Sequence, residues 1–319
     1  MSIGDPSEDA EGRLFRHPPS TLFLRLDEEW SSFDRAKVVV LPLPYEHTTS
    51  YGMGTVHAPA AILEASYYLE LYDEELDVEI FRLSEGVATL PPMRFDAACR
   101  DATAVEAIRN EVSRLIGHGK TVVSIGGEHT IAIGAAHAHA QHYPDLTILH
   151  FDAHSDLRQE YEGNRYSHGC TMARIYDFHH DIVQVGIRSQ GIEESLFIKE
   201  KKITTFYAID IRQGRYGSDQ TSWHDAIIRA LRKNVYVTFD CDFFDPALIP
   251  TLGTPEPGGF GWDETVALLR RIAAERNIVG FDVNELLPVA PLFHPQFIIA
   301  KLIYKWIGYL FTSAEKLRR

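Results

Sequence analysis

Cysteine is scarce in this sequence of 319 residues, and long apolar runs are missing from it altogether. The three cysteines, Cys99, Cys170 and Cys241, are odd in number and widely spaced, which excludes a disulfide framework and the paired thiolates of a zinc site. No apolar run approaches the roughly 18 residues of a membrane-spanning helix. The first 20 residues are acidic and polar, where a secretory signal would be basic and then apolar. We therefore expect reduced thiols and a cytoplasmic protein with no membrane partner.

Positive charge is also in short supply. Lysine and arginine number 31 against 45 aspartates and glutamates, which gives a formal net charge of −14. This balance repels a phosphate backbone, so we expect no nucleic-acid partner, and it favours small cationic ligands by long-range attraction. Hydrophobic residues make up 45% of the chain, which is enough to bury a core and excludes disorder as the main state.

Internal repeats, low-complexity tracts and Gly/Ser linkers are absent from the sequence, so it gives no sign of a domain boundary. Residues 1–35 mix charges with Pro18 and Pro19 and predict an arm that lies on the body of the protein or on a neighbouring subunit. The remainder, residues 36–319, is predicted to form one α/β domain that carries the active site.

Short apolar runs rich in β-branched residues recur along the chain and predict strands that are buried on both faces. They lie at residues 37–41, 121–125, 146–151, 182–187, 203–207, 235–239 and 278–283. Helical spacing between them, as at residues 105–116 and 262–272, predicts a parallel sheet covered by helices on both sides. Residues 297–311 are apolar nearly all round and predict a helix in the core or at a subunit contact.

Three predicted strands end in side chains that bind metals. His129 follows the run at residues 121–125 in the motif GGEHT. The motif HFDAHSD supplies three more candidates, which alternate so that they can project to one side of an extended segment: Asp152, His154 and Asp156. Asp240 and Asp242 follow the run at residues 235–239. Because ligands bind at the carboxyl ends of parallel strands, we expect these groups to meet at one edge of the sheet.

Each motif alone has an ordinary alternative. His129 can be a hydrogen-bonded turn residue, and Asp240 and Asp242 can cap a helix or form salt bridges. Together, buried carboxylates repel one another unless a cation lies between them. Four aspartates and two histidines suit two ions that share carboxylates, and the oxygen-rich set favours Mn²⁺ over Zn²⁺. Two such ions lower the pKa of a bridging water, which predicts hydrolytic chemistry.

These motifs, with GTPEPGG at residues 253–259, resemble the signatures of the ureohydrolase family of arginases and agmatinases. The resemblance extends from about Leu41 to the C-terminus. It implies a three-layer α/β/α fold around a mainly parallel eight-stranded sheet, a centre of two Mn²⁺ ions, and a homotrimer or homohexamer. Other divalent ions such as Ni²⁺ are possible at the same ligands.

The resemblance also implies roles for individual residues. One ion would be held by His129, Asp152, Asp156 and Asp240, and the other by Asp152, His154, Asp240 and Asp242. The bridging hydroxide would attack the guanidinium carbon while Asp156 relays a proton to the leaving amine. His168 would exchange protons with solvent, and Glu285 would grip the guanidinium. From the residues alone, His168 can also be a solvated loop residue, and Glu285 can cap a helix or pair with an arginine.

The loop after Asp156 reads LRQEYEGNRYSHG and resembles agmatinases more than arginases, so agmatine is the expected substrate, with putrescine and urea as products. The charged residues of this loop are compatible with more than one substrate. Glu160 or Glu162 can receive an ammonium group, whereas Arg158 or Arg165 can receive the carboxylate of guanidinobutyrate. Arginase or guanidinase activity, a one-zinc deacetylase, and a catalytically silent regulatory or scaffold homologue are the other hypotheses.

Several further polar residues are expected to have no direct part in the chemistry. His150 is interpreted as an ordinary packed or surface residue, and Asp245, which precedes a proline, as a turn residue. Glu256 is interpreted as structural support. Glu128 stands where many similar sequences have aspartate, which affects only the surroundings of His129.

Overall fold

The computed structural model describes residues 21–217 and 222–318. Residues 1–20 of the predicted arm lie outside the described residues. In its remaining part, Phe23, Leu24 and Leu26 are buried in the hydrophobic core, and the Leu24 backbone N–H donates a hydrogen bond to Ser66 Oγ at 2.8 Å. These residues are therefore packed against the body of the domain.

An eight-stranded sheet, parallel throughout, forms the centre of the domain, as expected. Its strands are β1 (Val38–Leu43), β4 (Val87–Thr89), β5 (Thr121–Gly126), β6 (Leu146–Phe151), β7 (Ile182–Ile187), β8 (Thr204–Tyr207), β9 (Asn234–Asp240) and β10 (Asn277–Asn284). Their order across the sheet is β4-β1-β5-β10-β9-β6-β7-β8. The short strands β2 (Tyr72–Asp73) and β3 (Val78–Glu79) form a separate antiparallel pair.

Helices cover both faces of this sheet. They are α1 (Glu28–Ser31), α2 (Ala58–Ser66), α3 (Ile80–Leu83), α4 (Ala102–Gly117), α5 (Ile131–His142), α6 (Thr171–Tyr176), α7 (Ile192–Lys201), α8 (Ala208–Arg212), α9 (Ser222–Ala230), α10 (Trp262–Glu275), α11 (His294–Phe311) and α12 (Ala314–Leu317). Short 3-10 helices span Thr55–His57, His168–Cys170 and Cys241–Phe243. No helix in the described ranges has both the length and the apolar character that a bilayer crossing requires.

The core is divided by the sheet into two hydrophobic layers, which explains why the strand sequences are continuously apolar. In β1, Val38 and Val40 pack into the layer that contains α2, α10 and α11, whereas Val39 and Leu41 pack into the layer that contains α4 and α5. Each side of the strand is thus buried. The resulting three layers confirm the predicted α/β/α architecture.

The predicted core helix at residues 297–311 is α11, which begins slightly earlier, at His294. Trp306 of this helix stacks on Phe281 of β10 with ring centroids 4.1 Å apart. Its Lys305 is also largely buried, where the ammonium group pairs with Asp73 at 2.9 Å and Glu75 at 2.6 Å. The helix therefore packs in the core, and its buried charge is compensated.

Gly127, in the turn after β5, is required by a close backbone approach. A Cβ atom at this position would lie 2.2 Å from the Tyr45 carbonyl oxygen, so Gly127→Ala must push the loop after β1 away from the turn. We expect a loss of about 1–3 kcal/mol in the free energy of unfolding. Urea denaturation measures it.

Gly117→Ala is the control, because a Cβ at the end of α4 would meet no atom within 4 Å. This variant is expected to be neutral or slightly stabilising. Equal destabilisation by both substitutions would contradict the close approach at Gly127.

Candidate metal centre

Three strand ends meet at the carboxyl edge of the sheet, and each supplies part of one cluster. The imidazole of His129, from the turn after β5, contacts carboxylates from the other two strand ends. Its Nδ1 is 3.1 Å from Asp152 Oδ2, 3.1 Å from Asp156 Oδ2 and 3.3 Å from Asp240 Oδ2. The four groups predicted for one ion are therefore brought together.

A second group lies beside the first and shares Asp152 with it. His154 Nδ1 is 2.8 Å from Asp242 Oδ2 and 3.5 Å from Asp152 Oδ1. The ligand atoms of these three residues lie within 4.8 Å of one another, a spacing that allows them to hold a metal ion. The structure thus contains two adjacent His/Asp groups that are joined through Asp152.

Backbone hydrogen bonds orient the carboxylates. Asp240 Oδ1 accepts the Asp242 N–H at 2.8 Å at the start of the 3-10 helix that follows β9. Asp242 Oδ1 in turn accepts the Ala153 N–H at 2.9 Å, which joins the segments after β9 and β6. Asp156 departs from the predicted extended alternation, because its φ is 52°. This strained left-handed conformation is typical of functional sites.

The buried carboxylates of the cluster require compensating positive charge. Burial, followed by the charges of Asp242 and Asp152, raises the pKa of Asp240 well above its usual value. Burial alone lowers the pKa of His129, but its contacts with three aspartates outweigh burial and raise the pKa well above its usual value. Burial opposes the same rise at His154, where Asp242 and Asp152 raise the pKa to about 12. Protons or metal cations can supply the missing charge.

The donor set fits a metal ion, because a hydrogen-bond chain fixes the orientation of His129. Thr238 Oγ1 donates to Asp282 Oδ1 at 2.7 Å and lies 2.8 Å from His129 Nε2. Since the hydroxyl hydrogen is already committed, Nε2 is the donor to Thr238. In the neutral ring, Nδ1 then presents a lone pair to carboxylate oxygens, and it forms no hydrogen bond. A cation between them satisfies both sides.

His150 contradicts the expectation that it is an ordinary packed residue. It lies in β6, two positions before Asp152, and its Nε2 is 2.8 Å from Asp152 Oδ2. Gln184 Nε2 donates to His150 Nδ1 at 3.0 Å, so Nε2 carries the proton that faces Asp152. The period-2 alternation of a strand, which places His150 and Asp152 on one side, is the sequence signal that could have identified this contact.

A cavity of about 210 Å³ opens above the cluster. Its lining includes His129, His154, Asp156, Asp240, His168 and Glu285. Glu285 neither caps a helix nor pairs with an arginine in the described contacts, and its Oε1 accepts the His129 backbone N–H at 2.6 Å. Its φ is 65°, and burial, together with the charge of Glu128, raises the pKa of its carboxyl group well above the usual range.

The other charged residues considered in the sequence differ in their contacts and in their exposure. Asp245 accepts the backbone N–H groups of Ala247, Gly258 and Gly259, which is the turn role expected of it. Glu160, Glu162 and Arg165 are exposed, whereas Arg158 is half-buried and lines the cavity.

Comparisons with known proteins agree with the geometry. The family model described as the arginase family matches residues 36–307. An N(1)-aminopropylagmatine ureohydrolase from Synechocystis is 38% identical over 295 residues, which cover 91% of this chain and 94% of the relative. An agmatinase from Bacillus anthracis is 34% identical, with 83% and 92% covered. The crystal structure of an agmatine ureohydrolase from Thermoplasma volcanium gives a TM-score of 0.79 at 29% identity, with 91% and 93% covered.

Mn²⁺ added to chelator-treated protein is expected to raise the unfolding temperature, because the ions bind the folded state. Free ion at 100 times its Kd adds about 2.7 kcal/mol of stability. Asp152→Asn is expected to abolish the shift, since Asp152 contacts both His129 and His154. Asp242→Asn is expected to lose one of two bound ions. Thermal unfolding and elemental analysis measure both effects.

Asp225→Asn is the matched control, because this aspartate pairs with Arg271 on the surface. It is expected to bind as much Mn²⁺ as the unmodified protein. Full binding by Asp152→Asn would contradict the shared position of that carboxylate.

Proposed function

The chain belongs to the arginase family and is a hydrolase of guanidino compounds, and from this premise we propose that it converts agmatine to putrescine and urea. The observation that carries the proposal is the pair of His/Asp groups below a cavity lined by Glu285 and His168. A cationic guanidino compound suits this cavity, because the lining is rich in carboxylates.

Six residues are proposed to hold two Mn²⁺ ions, with Ni²⁺ as a possible substitute. One ion would be held by His129, Asp152, Asp156 and Asp240, and the other by Asp152, His154, Asp240 and Asp242. When bound, two such ions lower the pKa of a shared water to near neutrality and so supply the nucleophile for hydrolysis.

Glu285 is proposed to bind the guanidinium group of the substrate. Its backbone N–H donates to the Gly127 carbonyl at 2.8 Å, and its Oε1 accepts the His129 N–H, so the side chain is held next to the cluster. A carboxylate can offer two oxygens to a planar guanidinium, which fixes the reacting carbon over the proposed ligands. The strained φ of Glu285 supports a functional rather than a packing role.

Two further residues are proposed to move protons. Water adds its oxygen to the guanidinium carbon and gives up a proton, and the C–N bond to the amine then breaks as the leaving nitrogen gains that proton. Asp156 lines the cavity beside His129 and is proposed to deliver that proton. His168 also lines the cavity and is half-buried, and we assign to it the exchange of protons with solvent.

The charges near the cavity favour a cationic tail over an anionic one. Arg158 NH1 pairs with Glu193 at 2.8 Å, and its Nε lies 3.7 Å from Glu194. Arg165 lies 3.9 Å from Asp177. Both arginines of this loop thus have carboxylate partners, so a substrate carboxylate would have to displace one. An ammonium group can instead share the carboxylates of α7.

N(1)-aminopropylagmatine is the second candidate substrate. The relative from Synechocystis carries that name. The supporting observation is the acidic pair Glu193 and Glu194 at the start of α7, of which Glu194 lines the cavity. A longer substrate with an additional ammonium group would reach further toward this pair than agmatine.

A homotrimer or homohexamer is also proposed. Its support is a set of exposed apolar side chains on α7 and α8, namely Ile192 (73% exposed), Leu196 (58%) and Ile209 (57%). Ile192 and Leu196 are four residues apart and therefore lie on one face of α7, where adjacent exposed apolar side chains are typical of a surface that a partner covers.

Urea release from agmatine in the presence of Mn²⁺ tests the proposed reaction. Glu285→Gln is expected to lower kcat/KM by about 100-fold or more, because the guanidinium loses its charged partner. Manganese content should be unchanged. Glu275→Gln, a surface glutamate paired with Arg318, is the control and should retain activity. Unchanged kcat/KM in Glu285→Gln would contradict the binding role.

The charge of the substrate tail is tested with agmatine, N(1)-aminopropylagmatine and guanidinobutyrate. Glu193→Gln is expected to lower kcat/KM for the aminopropyl compound about threefold relative to agmatine, a modest effect because Glu193 is largely exposed. Glu200→Gln on the same helix is the matched control. A preference for guanidinobutyrate would overturn the cationic tail.

A further inference from the structure

The loop between β1 and the 3-10 helix Thr55–His57 reaches the cavity and is organised by two carboxylates. Glu46, within the loop, accepts the backbone N–H groups of Gly54 at 2.8 Å and Val56 at 2.9 Å. These bonds fix the end of the loop, just before the 3-10 helix. They involve none of the residues that line the cavity.

The second carboxylate, Glu128, comes from the turn after β5 and is completely buried. It accepts the backbone N–H groups of His47 and Thr48, both at 2.7 Å. It also accepts the hydroxyls of Thr48 at 2.9 Å and Thr130 at 2.8 Å. One side chain therefore ties the start of the loop to the turn that carries His129.

Thr48 in turn contacts His168 and so connects it to Glu128. Because its hydroxyl hydrogen is donated to Glu128 Oε1, the oxygen of Thr48 is left as an acceptor. It accepts the His168 backbone N–H at 3.0 Å and lies 3.4 Å from His168 Nδ1. On the other side of the ring, Nε2 lies 3.4 Å from Ser50 Oγ. Ser167 Oγ also lies 3.4 Å from Nδ1, but its hydroxyl can either donate or accept and so does not by itself select a tautomer. All three polar contacts of the ring are long, as is common before substrate binds.

We propose that Glu128 and Thr48 are positioning residues that hold His168 with its proton on Nδ1 and with Nε2 as the atom that accepts protons. The inference rests on the proposed function, in which His168 exchanges protons with solvent. The neutral ring has one donor and one acceptor nitrogen, so an acceptor opposite Nδ1 selects the tautomer. Glu128 acts only through Thr48 and does not touch the ring.

Thr48→Val tests the proposal, because valine keeps the shape of threonine and removes the hydroxyl. We expect kcat for agmatine to fall about 10-fold, with KM and manganese content unchanged. Thr48→Ser, which restores the hydroxyl, should recover kcat.

Thr49→Val is the matched control, since the hydroxyl of Thr49 contacts Glu46 in the same loop. It should leave kcat unchanged. A second readout is ¹⁵N NMR of histidine-labelled enzyme loaded with diamagnetic Zn²⁺, with the His168 signals assigned by their loss in His168→Asn. The Nδ1–H form should dominate in the unmodified enzyme and in Thr48→Ser, and mix with the Nε2–H form in Thr48→Val.

Comparison of the variants distinguishes failure of the positioning role from failure of the proposed function. If His168→Asn lowers kcat but Thr48→Val behaves like Thr49→Val, the positioning role is wrong and the proposed function stands. If His168→Asn has no effect on kcat, the role of His168 in the proposed function is wrong, and the positioning role is wrong with it. Unchanged histidine signals in Thr48→Val would also overturn the positioning role.

Discussion

The mutual repulsion of buried carboxylates at the end of β6 and β9 is the constraint on which the rest of the site depends. Asp152, Asp240 and Asp242 are almost completely buried and lie around the same small volume. Burial of such groups without compensation costs several kcal/mol each. Cations held between them would remove that cost, which would account for three buried carboxylates at the centre of a folded domain.

The parallel sheet brings these groups together from distant parts of the sequence. The order β5-β10-β9-β6 places four carboxyl ends side by side. Glu285, directly after β10, therefore lies between the strand that precedes His129 and the strand that ends at Asp240. Its two hydrogen bonds to the turn at Gly127 and His129 tie the residue proposed to bind the substrate to the turn that carries a proposed metal ligand. The proposed binding and chemistry thus share one edge of the sheet.

Buried polar groups beneath the cluster fix the orientation of its imidazoles. Thr238 and Asp282 hold His129, and Gln184 holds His150 against Asp152. In each of these hydrogen-bonded chains a defined nitrogen or oxygen atom faces the cluster, so the side chains need little reorganisation to bind ions. The cost of burying these polar groups is offset because they satisfy one another.

Much of the architecture could be predicted from the sequence, because strands buried on both faces are continuously apolar. All seven predicted runs are strands of the sheet, whereas β4, with only three residues, was too short to give a pattern. The six metal-binding candidates could be recognised from motifs. The left-handed conformation of Asp156 and the pairing of Arg158 with α7 could not, since both depend on tertiary contacts between segments far apart in the chain.

Anomalous diffraction at the manganese absorption edge, from crystals grown with Mn²⁺, tests whether the two His/Asp groups hold two ions. We expect two peaks roughly 3.5 to 4 Å apart, one next to His129 Nδ1 and one next to His154 Nδ1, with Asp152 between them. A single peak, or peaks away from these aspartates, would contradict it.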